Sequence, residues 1–191
     1  MKVMKFGGTS VGKPERMHHI VSLISKETEP AIIVLSALSG TTNALIEIVT
    51  LIAKGDRISA KQSIDKLEEH YQSFIKELVK SDAAFAKAQS IIAEHFEFLN
   101  IILKISFSEA LSKDILAQGE LLSTKLFSAY LEEQNIDHVL LPALEFMTID
   151  HYDEPQIGSI KVTDTVASAI SRKKIIRYTR LYLPQCKGRS G

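Results

Sequence analysis

The sequence predicts an α/β fold, a mostly parallel sheet flanked by helices with a helical insertion. Two apolar runs near the N-terminal end, Val3–Phe6 and Ala31–Ser36, each stop at glycine or hydroxyl residues, and each is followed by apolar positions at helical spacing. Strand–helix–strand–helix within about fifty residues is the pattern of a parallel sheet. The middle of the chain instead carries a long stretch of helical periodicity without strand signals, which predicts the insertion. With 191 residues, 45% hydrophobic and 24% charged, the chain can bury one real core or two small lobes.

Val3–Phe6 reads as a buried strand entering a tight loop at Gly7-Gly8. Pro14 falls where the first turn of a helix tolerates proline, because the missing N–H has no partner there anyway. Met17, Ile20, Val21 and Ile24 supply that helix with one apolar face. Ala31–Ser36 is continuously apolar, the pattern of a strand covered on both faces. Ser39-Gly40-Thr41-Thr42-Asn43 punctuates it, and Leu45, Ile48, Leu51 and Ile52 continue as a helix that Gly55-Asp56 ends. Ile64, Leu67, Tyr71, Phe74, Ile75 and Leu78 fit one stripe, and Phe85, Ala88, Ile92, Phe96, Leu99 and Leu103 another. Residues 60–105 therefore read as a helical hairpin inside an excursion over 57–115. A third helix is expected to begin near Glu120, with Leu122, Leu126 and Tyr130 on one face. His138–Leu141, before Pro142, is the next strand.

Lys plus Arg and Asp plus Glu number 23 each, so nothing draws the chain generally to nucleic acid or an anionic membrane, and any phosphate binding is local. Cys186 is the only cysteine, which excludes an internal disulfide framework and a cysteine-rich metal site. It has no base nearby in sequence and is no candidate nucleophile. His18, His19, His70, His95, His138 and His151 lack ligand spacing, so no metal-binding residues are expected. Asp150, Asp153 and Glu154 read as a solvated acidic loop. The opening residues break into glycines too soon for a signal peptide, and no apolar run approaches the ~20 residues of a transmembrane helix. A cytoplasmic protein is expected.

Three segments carry candidate chemistry. In Lys5-Phe6-Gly7-Gly8-Thr9-Ser10, glycines let backbone N–H groups approach an anion, and Lys5 adds a compact positive charge at the strand end. Phosphoryl transfer needs such parts, since its catalysis is mostly positioning and charge neutralisation. A tight turn with a solvated lysine is the plainer alternative. Gly7 to Lys13 also has the spacing of a P-loop, but Pro14 stands where a Ser or Thr must ligate Mg²⁺. The second segment, Leu35 to Asn43, places hydroxyl residues and a glycine at a helix start, either as an anion site or as ordinary caps. In the third, Gln118 to Thr124, Glu120 is either a first-turn acid favoured by the helix dipole or a partner for a substrate ammonium.

Lys5-Phe6-Gly7-Gly8-Thr9-Ser10-Val11, Leu35-Ser36-Ala37 with Thr42-Asn43, and Gly119-Glu120-Leu121 with Ser123 together resemble the aspartate kinases of the amino-acid kinase family, in order and approximate spacing, over residues 1 to about 160. The resemblance implies that 1–174 is the N-terminal part of an amino-acid kinase domain. It implies ATP and Mg²⁺ as cofactors and L-aspartate as substrate. The reaction would be transfer of the γ-phosphoryl group to the β-carboxylate, the first step of lysine, threonine and methionine biosynthesis. By the same resemblance Lys5, Phe6, Gly7 and Gly8 fall on ATP-phosphate positions, Lys5 being also catalytic, and Thr42 and Glu120 fall on aspartate positions. Members of the family are often homo-oligomers. A kinase of glutamate or acetylglutamate is the alternative within the fold, and a non-catalytic remnant the alternative outside it.

Those relatives continue well past residue 191, with a Gly-Arg-Gly-Gly-Ser-Asp motif, a nucleotide lobe and regulatory domains, so a truncated chain not competent by itself is expected. The tail 175–191 also departs from the strand and Gly-Phe-Ile that the resemblance implies there. One set of codons for Arg180 to Gly191, read one base later, gives Gly-Phe-Ile-Cys-Arg-Asn-Ala-Lys-Gly-Glu-Val, and the tail is accordingly read as out of frame. Arg180 would share a strand face with Ile176 and Tyr178, so the expectation for 175–191 is a frayed edge strand outside the sheet interior.

Overall fold

The computed structural model describes residues 2–141 and the backbone of 175–179; Pro142, Asp150, His151, Asp153, Glu154, Cys186 and the stretch 180–191 lie outside the described residues. The elements are β1 (Lys2–Phe6), α1 (Gly8–Val11), α2 (Pro14–Ile24), β2 (Ala31–Leu35), α3 (Thr41–Ala53), α4 (Arg57–Leu78), α5 (Asp82–Ile102), α6 (Glu109–Glu133), β3 (His138–Leu141) and β4 (Ile175–Thr179). The strands form one sheet in the order β1-β2-β4-β3, every neighbouring pair parallel. The fold is the predicted α/β architecture with its helical insertion.

Pro14 opens α2 as foreseen, and Met17, Ile20, Val21 and Ile24 are all buried. The coverage of the first two strands differs from expectation. Val3 is 66% exposed and Lys5 is exposed, while Met4 and Phe6 pack against the core. On β2, Ala31, Ile33 and Leu35 are buried, but Ile32 and Val34 only half so. The reason is positional. Among the described strands β1 lies at one end of the sheet, and the crossovers β1–β2 and β2–β3 advance in the same direction across it. Right-handed connections then put their helices on one face, where α2 does meet α4. The inward residues of β1 and β2 face that layer and the alternate residues do not.

The two stripes of the insertion form its seam. Ile64, Leu67, Tyr71, Phe74, Ile75 and Leu78 of α4, and Ala88, Ile92, Phe96 and Leu99 of α5, are buried; Phe85 is half-buried. Asp56 caps α4 by accepting from Ser59 N at 3.0 Å, and Ser81 caps α5 by accepting from Ala84 N at 3.3 Å. From the far end of α6, Glu133 Oε1 accepts from Lys80 N at 2.8 Å and Ser81 N at 2.6 Å, tying the hairpin turn to that helix.

Two sequence expectations are corrected. α6 begins at Glu109, not near Glu120. Ser108 caps it by accepting from Leu111 N, with Glu109 in the first turn. Gly119, which reads as a boundary, lies inside the helix for a packing reason described below. The second correction concerns Ile175–Thr179, which is an inner strand between β2 and β3 and not an edge. Ile176 stands in register with Ile32 on one side and Val139 on the other. The run Ile-Ile-Arg-Tyr-Thr is rich in residues that suit strands, and the strand ends at Thr179. Arg180, on which the edge reading turned, lies outside the described residues.

Candidate functional site

Because β1 and β2 are parallel, the loops that leave them emerge at the same, carboxyl edge of the sheet, which is where open α/β sheets bind ligands. Lys5 stands in register with Val34 and Phe6 with Leu35, and the ladder extends one step further through Ser36 N, which donates to the Phe6 carbonyl at 3.1 Å. Lys5 is exposed, whereas the Phe6 side chain packs into the core and leaves only its backbone to the loop. Gly7 caps the single turn α1, accepting from Ser10 N at 2.8 Å and Val11 N at 3.2 Å, and Gly8 is its first residue. Gly12 ends that turn so close to the second loop that a Cβ there would lie 2.6 Å from Ser39 Cβ. The first two sequence segments are therefore wedged together.

The third joins them from α6. A Cβ on Gly119 would lie 2.9 Å from Ala37 Cβ and 3.2 Å from Thr41 Cγ2, so only glycine lets α6 pass this near the start of α3. Ser123 Oγ, one turn on, donates to the Ser36 carbonyl at 2.9 Å. Glu120 is thus carried to the same place in mid-helix, 3% exposed. This overturns the reading of Glu120 as a first-turn acid, because the helix dipole acts only within the terminal turns. Thr42 lies half-buried in the first turn of α3, beside Thr41, which is 1% exposed.

Behind these residues lies a polar layer that periodicity does not reveal. Thr41 Oγ1 and the Tyr71 hydroxyl share a 2.9 Å hydrogen bond. Burial holds the Tyr71 phenol far above its ordinary pKa, against the opposing bond to Thr41 and with the negative charge of Glu120 adding to the shift. His95 Nδ1 meets Gln118 Oε1 at 2.6 Å. The amide is oriented by Gln118 Nε2, which donates to the Asp114 carbonyl at 3.0 Å, so Oε1 accepts and His95 Nδ1 carries the proton. Sequence reading places Tyr71 in an apolar stripe and leaves His95 without a role. A tyrosine in such a stripe, whose hydroxyl needs a partner when buried, was the available signal.

His95 supplies a pH prediction. It is 5% exposed, and burial lowers its pKa below the ordinary 6.5; Lys125 adds to this, while Gln118 and Glu94 oppose it. As pH falls through 6.5 the unfolded chain takes up the proton before the folded one, so stability is complete above that value and declines below it. Urea midpoints measured from neutral pH downward should fall more steeply for the parent than for His95→Gln, which cannot take the charge. Equal slopes would contradict the assignment.

No helix among the described residues is long and apolar enough to cross a membrane. Aspartokinase 3, chloroplastic, of Arabidopsis thaliana is 38% identical over 169 residues, 85% of this chain and 27% of that protein. The lysine-sensitive aspartokinase 3 of Escherichia coli (strain K12) is 28% identical over 161 residues, 83% of this chain and 35% of that one. The crystal structure of E. coli aspartokinase III in complex with aspartate and ADP shares the fold, with a TM-score of 0.72 at 22% identity over 93% of this chain and 40% of that one. The chain spans about a quarter of the length of the first two curated relatives, 27% and 28%. The amino acid kinase family matches residues 1–179, and with the parallel sheet and its insertion already described, the chain belongs to the amino acid kinase family.

Proposed function

We propose that the chain contributes to ATP-dependent phosphorylation of the β-carboxylate of L-aspartate. The observation that supports this best is the meeting, at one sheet edge, of the Gly7-Gly8 turn, the Ser36–Gly40 loop and the Gly119–Ser123 segment, which lie far apart in sequence. Lys5 and the backbone of Phe6, Gly7 and Gly8 would hold the transferring phosphate end of ATP. There the ammonium of Lys5 offsets charge spreading over the phosphoryl oxygens. Glu120 would receive the substrate ammonium and the Thr42 hydroxyl a substrate carboxylate. A β-carboxylate oxygen then bonds to the γ-phosphorus as the bond from that phosphorus to the ADP bridging oxygen breaks. Acyl phosphate and ADP result, and no proton has to move, since the carboxylate is already ionised.

Mg²⁺ would come with the nucleotide phosphates. The described residues contain no group of three His, Cys, Asp or Glu that could hold it, so none is assigned to the ion. A cytoplasmic location belongs to the same proposal. Titrating the chain separately with L-aspartate, L-glutamate, N-acetyl-L-glutamate and Mg-ATP tests it. Aspartate should bind best, and Glu120→Gln should weaken aspartate by about tenfold or more while leaving ATP unchanged, the usual effect of losing a charge-assisted bond. Tighter binding of acetylglutamate, which has no ammonium for Glu120, would overturn the assignment.

A further inference from the structure

Tyr71 belongs to the helical insertion, yet its hydroxyl points at the start of α3. Its ring is fully buried and stands edge-on to Phe96, centroids 6.0 Å apart. A stripe position that needed only volume would take phenylalanine equally well. Here the phenol ends in a hydrogen bond with Thr41, itself 1% exposed, where little water competes. Thr41 precedes Thr42, and its methyl group lies against Gly119, the residue before Glu120. One hydroxyl pair thus sits behind both groups assigned to the amino-acid substrate. The charge of Glu120 also acts on the Tyr71 phenol. Around the same small cavity, His95 holds Gln118 in the turn of α6 that precedes Glu120.

We infer that Tyr71 is a positioning residue for the amino-acid substrate, its bond to Thr41 fixing the first turn of α3 against the Gly119–Glu120 segment so that Thr42 and Glu120 hold their spacing. This rests on the aspartate reading above and assigns the helical insertion a direct part in it. The ring, being conjugated and packed against Phe96, is a rigid strut, and the only freedom left at its tip is the hydroxyl rotation that the bond to Thr41 removes.

The test is calorimetric titration of the chain with L-aspartate and, separately, with Mg-ATP, for the parent, Tyr71→Phe, Thr41→Val, Thr41→Ser and the Tyr71→Phe/Thr41→Val double variant. Tyr71→Phe keeps the ring and should fold. It should weaken aspartate about tenfold, the scale of one buried hydrogen bond, with ATP affinity close to the parent's and the melting temperature lowered by no more than a few degrees. Thr41→Ser, which keeps the hydroxyl, should bind like the parent, and the double variant should be no worse than either single one. If the parent binds aspartate and Tyr71→Phe binds it equally well, the positioning role is wrong while the aspartate reading stands. Equal weakening of both ligands would make Tyr71 merely structural and also overturn the inference. A parent that binds ATP but no aspartate would overturn the reading beneath it, and the inference with it.

Discussion

On the role proposed for it, replacing Lys5 with alanine in the chain joined to the remaining length of a relative should slow aspartyl phosphate formation by about 10²–10³, the scale on which a preorganised electrostatic stabiliser acts. Lys5 is the penultimate residue of β1, is exposed, and makes no salt bridge among the described residues, unlike Lys2, which pairs with Glu27 at 2.5 Å. Its removal should therefore cost the fold little, and the loss of rate can be separated from a loss of protein. The charge is needed when the γ-phosphoryl group carries spread negative charge between two oxygens, so the turnover rate should fall much more than aspartate affinity. Trapping the acyl phosphate with hydroxylamine measures it. A rate within a fewfold of the parent would show that Lys5 does not face the transferring group.

The second large effect should come from Gly119→Val, and it should be one of stability. A residue with a side chain is ordinarily better than glycine inside a helix, by up to about 1 kcal/mol. At this position the new Cβ would lie 2.9 Å from Ala37 Cβ, which has no rotamer to escape into, and 3.2 Å from the Thr41 methyl. Overpacking of this kind costs about 1–3 kcal/mol, and the branched valine adds atoms beyond the Cβ. The net expectation is a loss of about 2 kcal/mol, read as a lower urea midpoint at unchanged slope. Since α6 must move away from α3, the aspartate binding proposed above should weaken in whatever fraction stays folded. A variant as stable as the parent would mean that the two helices are not held at this contact.

The helical insertion was the most legible part of the chain, because both of its helices bury a continuous apolar stripe and each starts at a side chain that caps it, Asp56 and Ser81. The start of α6 was hidden by Gly119. Local rules treat glycine as punctuation, and only the approach of α3 explains it in mid-helix. Burial of β1 and β2 was overestimated for a similar reason: an apolar run states what a strand can tolerate, not how many layers cover it. Lys5, Gly7, Gly8, Thr42 and Glu120 are proposed for the site only through a resemblance, since each alone has an ordinary structural reading. Thr41 and Tyr71 were missed because their partnership spans two helices, and no spacing in the sequence records it.

The strand order also has a bearing on how the chain reaches this state. β4 separates β2 from β3, yet it is synthesised after both. Until it arrives the ladder β1–β2 and the strand β3 have no backbone hydrogen bonds between them, and every pairing that joins them must close a long loop, a slow event. The α4–α5 hairpin needs only near neighbours and can be in place first. During that interval β2 and β3 each present an open row of N–H and C=O groups to whatever strand is nearby. The nascent chain is therefore most prone to pairing with other chains just before Ile175–Thr179 slots in, and that late insertion covers the facing edges of β2 and β3.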